Sequence, residues 1–168
     1  EGRFLKKELK RTELFQKTLG LVGIGRIAQE VAKRAAAFGM KVLAYDPFVT
    51  SSPVAQMVPT LDELVTAADY VCLHTPLTDQ TRGMIDAKVI AKMKKGAILV
   101  NAGRGATIVP EDVKAALDSG QLAGYATDVW PSDPPPPDYP LLKHPKVLMV
   151  PHLGASTREA TPKAALMA

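Results

Sequence analysis

Arg104, Asp128 and His152 each follow an apolar run ("AILVN", "GYAT" and "VLMVP"), and Asp133 stands immediately before four consecutive prolines in "DVWPSDPPPPDYP". An imidazole, whose ordinary pKa lies near neutrality, can exchange the proton of a substrate hydroxyl. A carboxylate beside it fixes its tautomer and stabilises its charged form. A guanidinium grips a substrate carboxylate in a fork and polarises the neighbouring carbonyl. Together these groups suit hydride transfer between an alcohol and a ketone. Taken singly, each has a plainer reading: a histidine after a strand can be packing or solvent-facing, and Arg104 can pair with a surface acid. His74 reads as a cap on a strand end, His144 in "LKHPK" as a surface loop residue with no role, and Cys72 as buried packing.

Residues so far apart in sequence need a frame to bring them together. Phe4, Leu5, Leu9 and Phe15 recur among charges at helical spacing, which predicts an amphipathic helix over 3–15. A strand within 17–25 breaks into glycines. The helix after it, "RIAQEVAKRAAAF", is predicted to bury Ile27, Val31, Ala35 and Phe38 and to stop at Gly39. "KVLAYD", "YVCLH", "GAILVN", "LAGYATDV" and "KVLMVP" read as further strands. Thr60 with Glu63 forms a capping box for one helix. "DAKVIAKM" is a second, "PEDVKAALDSG" a third running from Pro110 to Gly120, and a last one begins in "STREATPKAALMA". Near-continuous apolar strands alternating with helices imply an α/β, Rossmann-type doubly wound parallel sheet flanked by helices, forming a single domain across residues 1–168. The carboxyl ends of its strands then gather the polar residues at one edge. The proline run falls between two strands, where an interdomain tether is out of place.

"GIGRIA" matches G-x-G-x-x-G/A, with Gly23 permitting the sharp turn, Gly25 admitting a pyrophosphate close to the backbone, and Ala28 letting the helix pack on the strand. Free N–H groups and the dipole at the helix start favour an anion there. Asp46 lies about twenty residues on, where an acid accepts hydrogen bonds from an adenosine ribose. The same charge repels a 2′-phosphate, by roughly 4 kcal/mol for a unit charge pair at ~4 Å and intermediate dielectric, so NAD is expected over NADP. A structural turn followed by a surface aspartate is the plainer alternative.

Composition narrows the classes further. The chain has 168 residues, a net charge of +4, 46% hydrophobic residues and one cysteine. Its basic clusters, "LKKELKR" and "KMKKG", lack interleaved aromatics to stack on bases, so nucleic acid is not an expected partner. No apolar run reaches the ~18 residues of a membrane span, and the charged start lacks the apolar core of a signal peptide. A lone cysteine fits a reducing, cytoplasmic setting. No metal site is expected. With no initial Met, the chain is expected to be cut from a longer one.

Five segments, "GLVGIGRIA…YDP", "HTPLTDQTRGMID", "KKGAILVNAGRGATIV", "GYATDVW" and "PHLGAST", occur in one order and spacing. Together they resemble the NAD-binding domain of the D-isomer-specific 2-hydroxyacid dehydrogenases, and most of all its D-3-phosphoglycerate dehydrogenase branch, which serves serine biosynthesis. The resemblance implies that Arg104 binds the substrate's carboxylate and carbonyl, that His152 is the general acid/base, and that Asp133 supplies the carboxylate partner. That last position departs from the family: it is usually Glu, and the proline run is usually shorter. For NAD, the resemblance places Arg26 and Ile27 at the pyrophosphate, with Gly23 and Gly25 below it, and Asp46 at the ribose. Thr75 and Pro76 line the adenosine side. Ala102, Gly103, Arg104, Asp128, His152, Gly154 and Ala155 surround the nicotinamide, with Asp128 orienting its carboxamide. A second domain, built in this family from both flanks of the chain, is expected to be absent here, so that the chain binds NAD(H) with little or no turnover on a hydroxyacid. Homodimerisation through the cofactor domain is also implied. A formate dehydrogenase, which carries Gln in place of Asp133, and an NAD(H)-sensing module of the co-repressor type remain as alternatives.

Overall fold

The computed structural model of the chain describes residues 12–158. Its strands are β1 (Thr18–Val22), β2 (Lys41–Tyr45), β3 (Gln56–Met57), β4 (Tyr70–Leu73), β5 (Ala97–Asn101), β6 (Leu122–Thr127) and β7 (Val147–Met149). Between them lie the helices α1 (Arg26–Ala37), α2 (Leu61–Ala67), α3 (Ala87–Lys92) and α4 (Pro110–Ser119). All strand pairs are parallel, in the order β3-β2-β1-β4-β5-β6-β7. The chain leaves β1 toward one edge and returns to build the other from β4. The crevice for a ligand therefore opens at the carboxyl ends of β1 and β4.

Helices cover the two faces unequally. On one face Ala28, Ala32 and Ala35 of α1 pack over Leu19, Leu21, Val42, Ala44 and Cys72. On the other, α2, α3 and α4 bury Leu64, Ile90, Val113 and Leu117 against Val71, Leu73, Leu99 and Tyr125. Gly20 makes the approach of α2 possible: a Cβ there would lie 2.6 Å from Leu64 Cδ2.

The inward face of α1 differs from the expected one. Of the four residues expected inward, Ala35 is buried and Val31 half-buried, whereas Ile27 and Phe38 are 69% and 63% exposed; Ala28 and Ala32 are buried in their place. Small side chains let α1 lie close to the sheet, and this rotation turns Ile27 toward the carboxyl edge. The edge strand β3 has two residues, too few to leave a periodic signal within a loop-like stretch. Residues 12–15 are not helical; the remainder of the helix expected over 3–15, and the helix body expected beyond 158, lie outside the described residues. No helix among the described residues is long and apolar enough to cross a membrane.

Local chemistry sets the helix ends. Thr60 Oγ1 accepts the Glu63 N–H at 3.1 Å, and the Thr60 hydroxyl donates to Glu63 Oε1 at 3.2 Å. Asp86 caps α3 by accepting the Val89 N–H at 2.9 Å. Pro110 occupies the first turn of α4, and Gly120 ends it at φ +76°.

At the opposite, amino edge of the sheet, Asp69 Oδ2 accepts the Thr18 N–H at 2.8 Å and Lys94 donates to Oδ1 at 3.0 Å. Burial alone would raise this carboxyl's pKa. The Thr18 and Lys94 hydrogen bonds, with the charges of Lys94 and Lys17, outweigh burial and hold it below the ordinary value. A depressed folded-state pKa means that the stabilisation is complete above the unfolded value of about 3.9 and is lost as pH falls through the folded one. Asp69→Asn should therefore lower stability near neutral pH and flatten its fall on the acid side. Urea titrations between about pH 2 and pH 7 check this; parallel profiles for the two proteins would remove Asp69 from the acid limb.

Candidate functional site

The glycine turn joins β1 to α1 with both features its sequence demands. Gly23 lies at φ +89°, and a Cβ there would crowd the His74 carbonyl at 3.2 Å. Gly25 precedes α1 in extended backbone, and a Cβ there would meet nothing within 4 Å. One glycine is thus required by the protein itself, whereas the other leaves open space. Asp46, at the end of β2, ties the turn down: Oδ2 accepts the Ile24 N–H at 3.1 Å and Oδ1 accepts the Phe48 N–H at 2.9 Å.

Above the turn lies a cleft of about 400 Å³, lined by Gly25 to Ala28, His74 to Pro76, and Ala102 to Arg104. Most of the expected cofactor residues meet in it. Thr75 is buried, its backbone carbonyl facing Gly103 so closely that a Cβ on Gly103 would approach to 2.8 Å. His74 Nε2 lies 3.2 Å from Cys72 Sγ. Burial lowers the pKa of His74 and pushes the Cys72 thiol up to about 12, so the thiol stays protonated beside the imidazole. A larger hollow of about 580 Å³, around Lys41, Asp62 and Lys92, contains none of the candidate residues.

The loop after β5 is built by Asn101, which is fully buried. Its Oδ1 accepts the Gly103 N–H at 3.1 Å, and its Nδ2 donates to the Arg104 carbonyl at 3.0 Å. Thr107 Oγ1 donates to the same carbonyl at 2.7 Å. Both ends of the loop are thereby fixed, and Arg104 is left exposed at its tip. Gly105 follows because the chain beyond β6 crosses it: a Cβ there would lie 2.1 Å from the Trp130 carbonyl carbon.

Beyond β6 the proline stretch is an ordered turn. Tyr139 N–H donates to the Pro136 carbonyl at 3.0 Å, and the Ser132 hydroxyl to the Pro134 carbonyl at 2.9 Å. It presents Asp133, whose Oδ2 lies 2.6 Å from His152 Nδ1. A carboxylate only accepts, so Nδ1 carries the proton and Nε2 is left as the basic nitrogen. His152 itself lies at φ +55° in the turn after β7. That turn hangs on Asp128, which accepts the Leu153 N–H at 2.6 Å and the Gly154 N–H at 2.7 Å.

The structure therefore gathers Gly25, Arg26, Ile27, Thr75, Pro76, Ala102, Gly103 and Arg104 around one cleft, with Gly23 and Asp46 beneath it. Asp128 lines a second hollow of about 200 Å³, which shares Ala102 with the first and is otherwise mostly apolar (Val100, Ala126, Leu148 and Val150 among its walls). His152, Asp133, Gly154 and Ala155 line neither hollow; of these, Gly154 is bonded directly to Asp128. Sequence reasoning missed Asn101, Thr107 and Trp130 as supports of this edge. Only the position of Asn101 at the end of an apolar strand hinted at its part. His144 is not a surface residue: its side chain is 7% exposed, with Nε2 3.1 Å from Asp118 Oδ1 and Nδ1 accepting the Lys146 N–H.

Residues 1–154 match the family model described as D-isomer specific 2-hydroxyacid dehydrogenase, NAD binding domain. The chain belongs to this family. It is 46% identical over 152 residues to a D-3-phosphoglycerate dehydrogenase of Bacillus subtilis, covering 89% of this chain and 29% of that protein. It is also 46% identical over 162 residues to a hydroxypyruvate reductase of Thermotoga maritima, covering 95% and 53%. Among solved structures, an NAD-dependent formate dehydrogenase of Staphylococcus aureus in complex with NAD superposes with a TM-score of 0.85 at 39% identity, covering 90% of this chain and 46% of that one. The chain thus spans between 29% and 53% of these relatives' lengths.

As a 2-hydroxyacid dehydrogenase NAD-binding domain, the chain takes NAD, and its residues fit that cofactor. The first turn of α1 contains no acidic side chain, whereas α2 and α4 carry Asp62 and Glu63, and Glu111 and Asp112, at theirs. Its exposed N–H groups therefore remain for a pyrophosphate. Asp46 uses one lone pair of each oxygen on the backbone and keeps the others open to a ligand donor. The empty space at Gly25 gives a direct check. Gly25→Ala should fold with stability within about 0.5 kcal/mol of the parent, since its added methyl touches no protein atom. NADH affinity should fall at least about tenfold because the methyl occupies the ligand's place. Paired thermal melts and calorimetric titrations read the two effects; unchanged affinity would place the pyrophosphate elsewhere.

Proposed function

We propose that this chain is the cofactor half of an enzyme that passes hydride between NAD(H) and a D-2-hydroxyacid, with D-3-phosphoglycerate the favoured substrate. The observation that carries the reading is the 2.6 Å pair of His152 Nδ1 and Asp133 Oδ2 at the carboxyl edge of the sheet. Bound NAD⁺ supplies the hydride acceptor. His152 Nε2, left basic by the proton on Nδ1, takes the hydroxyl proton as the carbonyl forms, and Asp133 stabilises the resulting imidazolium. Arg104 extends from a loop fixed at both ends and binds the substrate carboxylate and nascent carbonyl in a fork. Asp46 selects NAD over NADP by its charge.

A carboxylate at position 133 favours hydroxyacid chemistry over formate oxidation, where a proton-accepting pair has no task. Likeness to D-3-phosphoglycerate dehydrogenases supports the phosphorylated substrate, and hydroxypyruvate is the next candidate. The substrate's far end is recognised by a second domain that the chain's flanks supply. The 168-residue chain accordingly binds NADH but turns over far below the ~10 s⁻¹ of an ordinary enzyme.

The test uses the protein with both flanks restored. Among a panel of 2-hydroxyacids, D-3-phosphoglycerate should give the highest kcat/KM with NAD⁺. Asp133→Asn should cut kcat at least about a hundredfold and move the pH–rate profile, as expected when a base loses its charged partner. An unmoved profile would remove Asp133 from the chemistry. NADH-dependent capture of a partner protein without oxidation of any hydroxyacid would replace the enzyme reading with a sensing one.

A further inference from the structure

Trp130 stands where the three loops of the proposed site come together, and no sequence motif assigns it a task. Its indole Nε1–H donates to the Val150 carbonyl at 3.1 Å. The same carbonyl accepts the His152 N–H at 3.1 Å, so one acceptor joins the indole to the backbone of the proposed acid/base. The Trp130 carbonyl and the Pro131 nitrogen lie against Gly105, so tightly that only a residue without a side chain fits beside Arg104. The ring meets Tyr139 edge-on, with centroids 6.0 Å apart, across the base of the proline turn that carries Asp133. Trp130 therefore touches the Arg104 loop with its backbone, the Asp133 turn with its ring and the His152 turn with its N–H.

We infer that Trp130 is a positioning residue: its indole N–H, by holding the Val150 carbonyl, sets the His152 ring against Asp133. The inference rests on the reading of His152 and Asp133 as the proton-transferring pair. Its physical basis is the shape of the turn. His152 sits at φ +55°, a conformation that non-glycine residues adopt only when their surroundings fix it. The Val150 carbonyl anchors that turn on its amino side as Asp128 does on its carboxyl side. Without the indole N–H the carbonyl is free to turn toward water, the His152 N–H loses its acceptor, and the ring drifts from Asp133. A packing residue alone would need the ring of Trp130 and not its N–H, so the two roles separate experimentally.

Trp130 is the sole tryptophan of the chain. Benzothienylalanine, an isostere that keeps the two rings and lacks the N–H, can therefore be placed at this one position in a tryptophan auxotroph. Trp130→Phe serves as an independent second variant. The readouts are ¹⁵N NMR of the His152 ring, which distinguishes the Nδ1–H from the Nε2–H tautomer, and amide exchange along the chain. The parent should hold neutral His152 as the Nδ1–H form, and Asp133→Ala should release it to the Nε2–H form. The isostere should shift the ring part of the way toward Nε2–H. It should also speed exchange of the His152 amide about tenfold, as expected from losing one hydrogen bond, with exchange in β1, β4 and β5 unchanged. Trp130→Phe should do the same. If Asp133→Ala changes the tautomer while the isostere changes neither tautomer nor exchange, the positioning role is overturned and the pair stands. If Asp133→Ala leaves the tautomer alone, the pair itself is wrong and the inference falls with it.

Discussion

The candidate site depends on side-chain oxygens at the strand ends that satisfy the N–H groups of the loops leaving the sheet. Backbone pairing stops where parallel strands end, and the loops beyond must find acceptors or remain solvated. Asp46 after β2 takes the N–H groups of Ile24 and Phe48; Asn101, closing β5, takes that of Gly103; Asp128 after β6 takes those of Leu153 and Gly154. In each case the acceptor comes from one strand end and two of the three reach into the loop of another. Asp46 binds the β2 end to the glycine turn, and Asp128 binds the β6 end to the turn after β7. The carboxyl edge is therefore one connected structure.

This arrangement gives Asp46 and Asp128 two tasks each. Both were expected to face the cofactor, and their oxygens are already bonded to backbone. A carboxylate with two oxygens has about four acceptor sites, so one backbone bond per oxygen leaves room for a ligand donor. An amide in the same place has one oxygen, and its nitrogen would face an N–H group. The preference for Asp at these positions thus follows from the loops as much as from the ligand.

Features written in local residue types were legible in the sequence. Gly23 and Gly25, Pro110, Gly120, the Thr60 cap and the apolar strands all depend on neighbours within a few positions, and they placed the parallel sheet and its carboxyl edge. Features that depend on distant packing were not. Hydrophobicity placed Ile27 and Phe38 on the inward face of α1 with Val31 and Ala35, but distance to the sheet favoured Ala28 and Ala32 beside Ala35. Gly105 gave no turn signal because its reason is the backbone of Trp130, twenty-five residues away. The two-residue β3 is too short to register, and His144 looked like an ordinary loop histidine because Asp118, twenty-six residues away, meets it only in the fold.

The geometry of His152 and Asp133 also bears on why the chemistry needs more than this edge. Their side chains are 50% and 54% exposed, so the pair is surrounded largely by water. At high effective dielectric, opposite charges attract weakly, and an exposed pair contributes little to holding either group in place. Here the turn is held instead by several hydrogen bonds acting together: the Asp128 carboxylate takes the Leu153 and Gly154 N–H groups, and the Trp130 indole N–H donates to the Val150 carbonyl. The edge can thus keep the imidazole oriented before any substrate arrives. A surface closing over it would exclude water and strengthen both the His152–Asp133 attraction and the hold of Arg104 on an anionic substrate. In the proposed enzyme, orientation of the imidazole would thus fall to the cofactor half and its desolvation to a second domain.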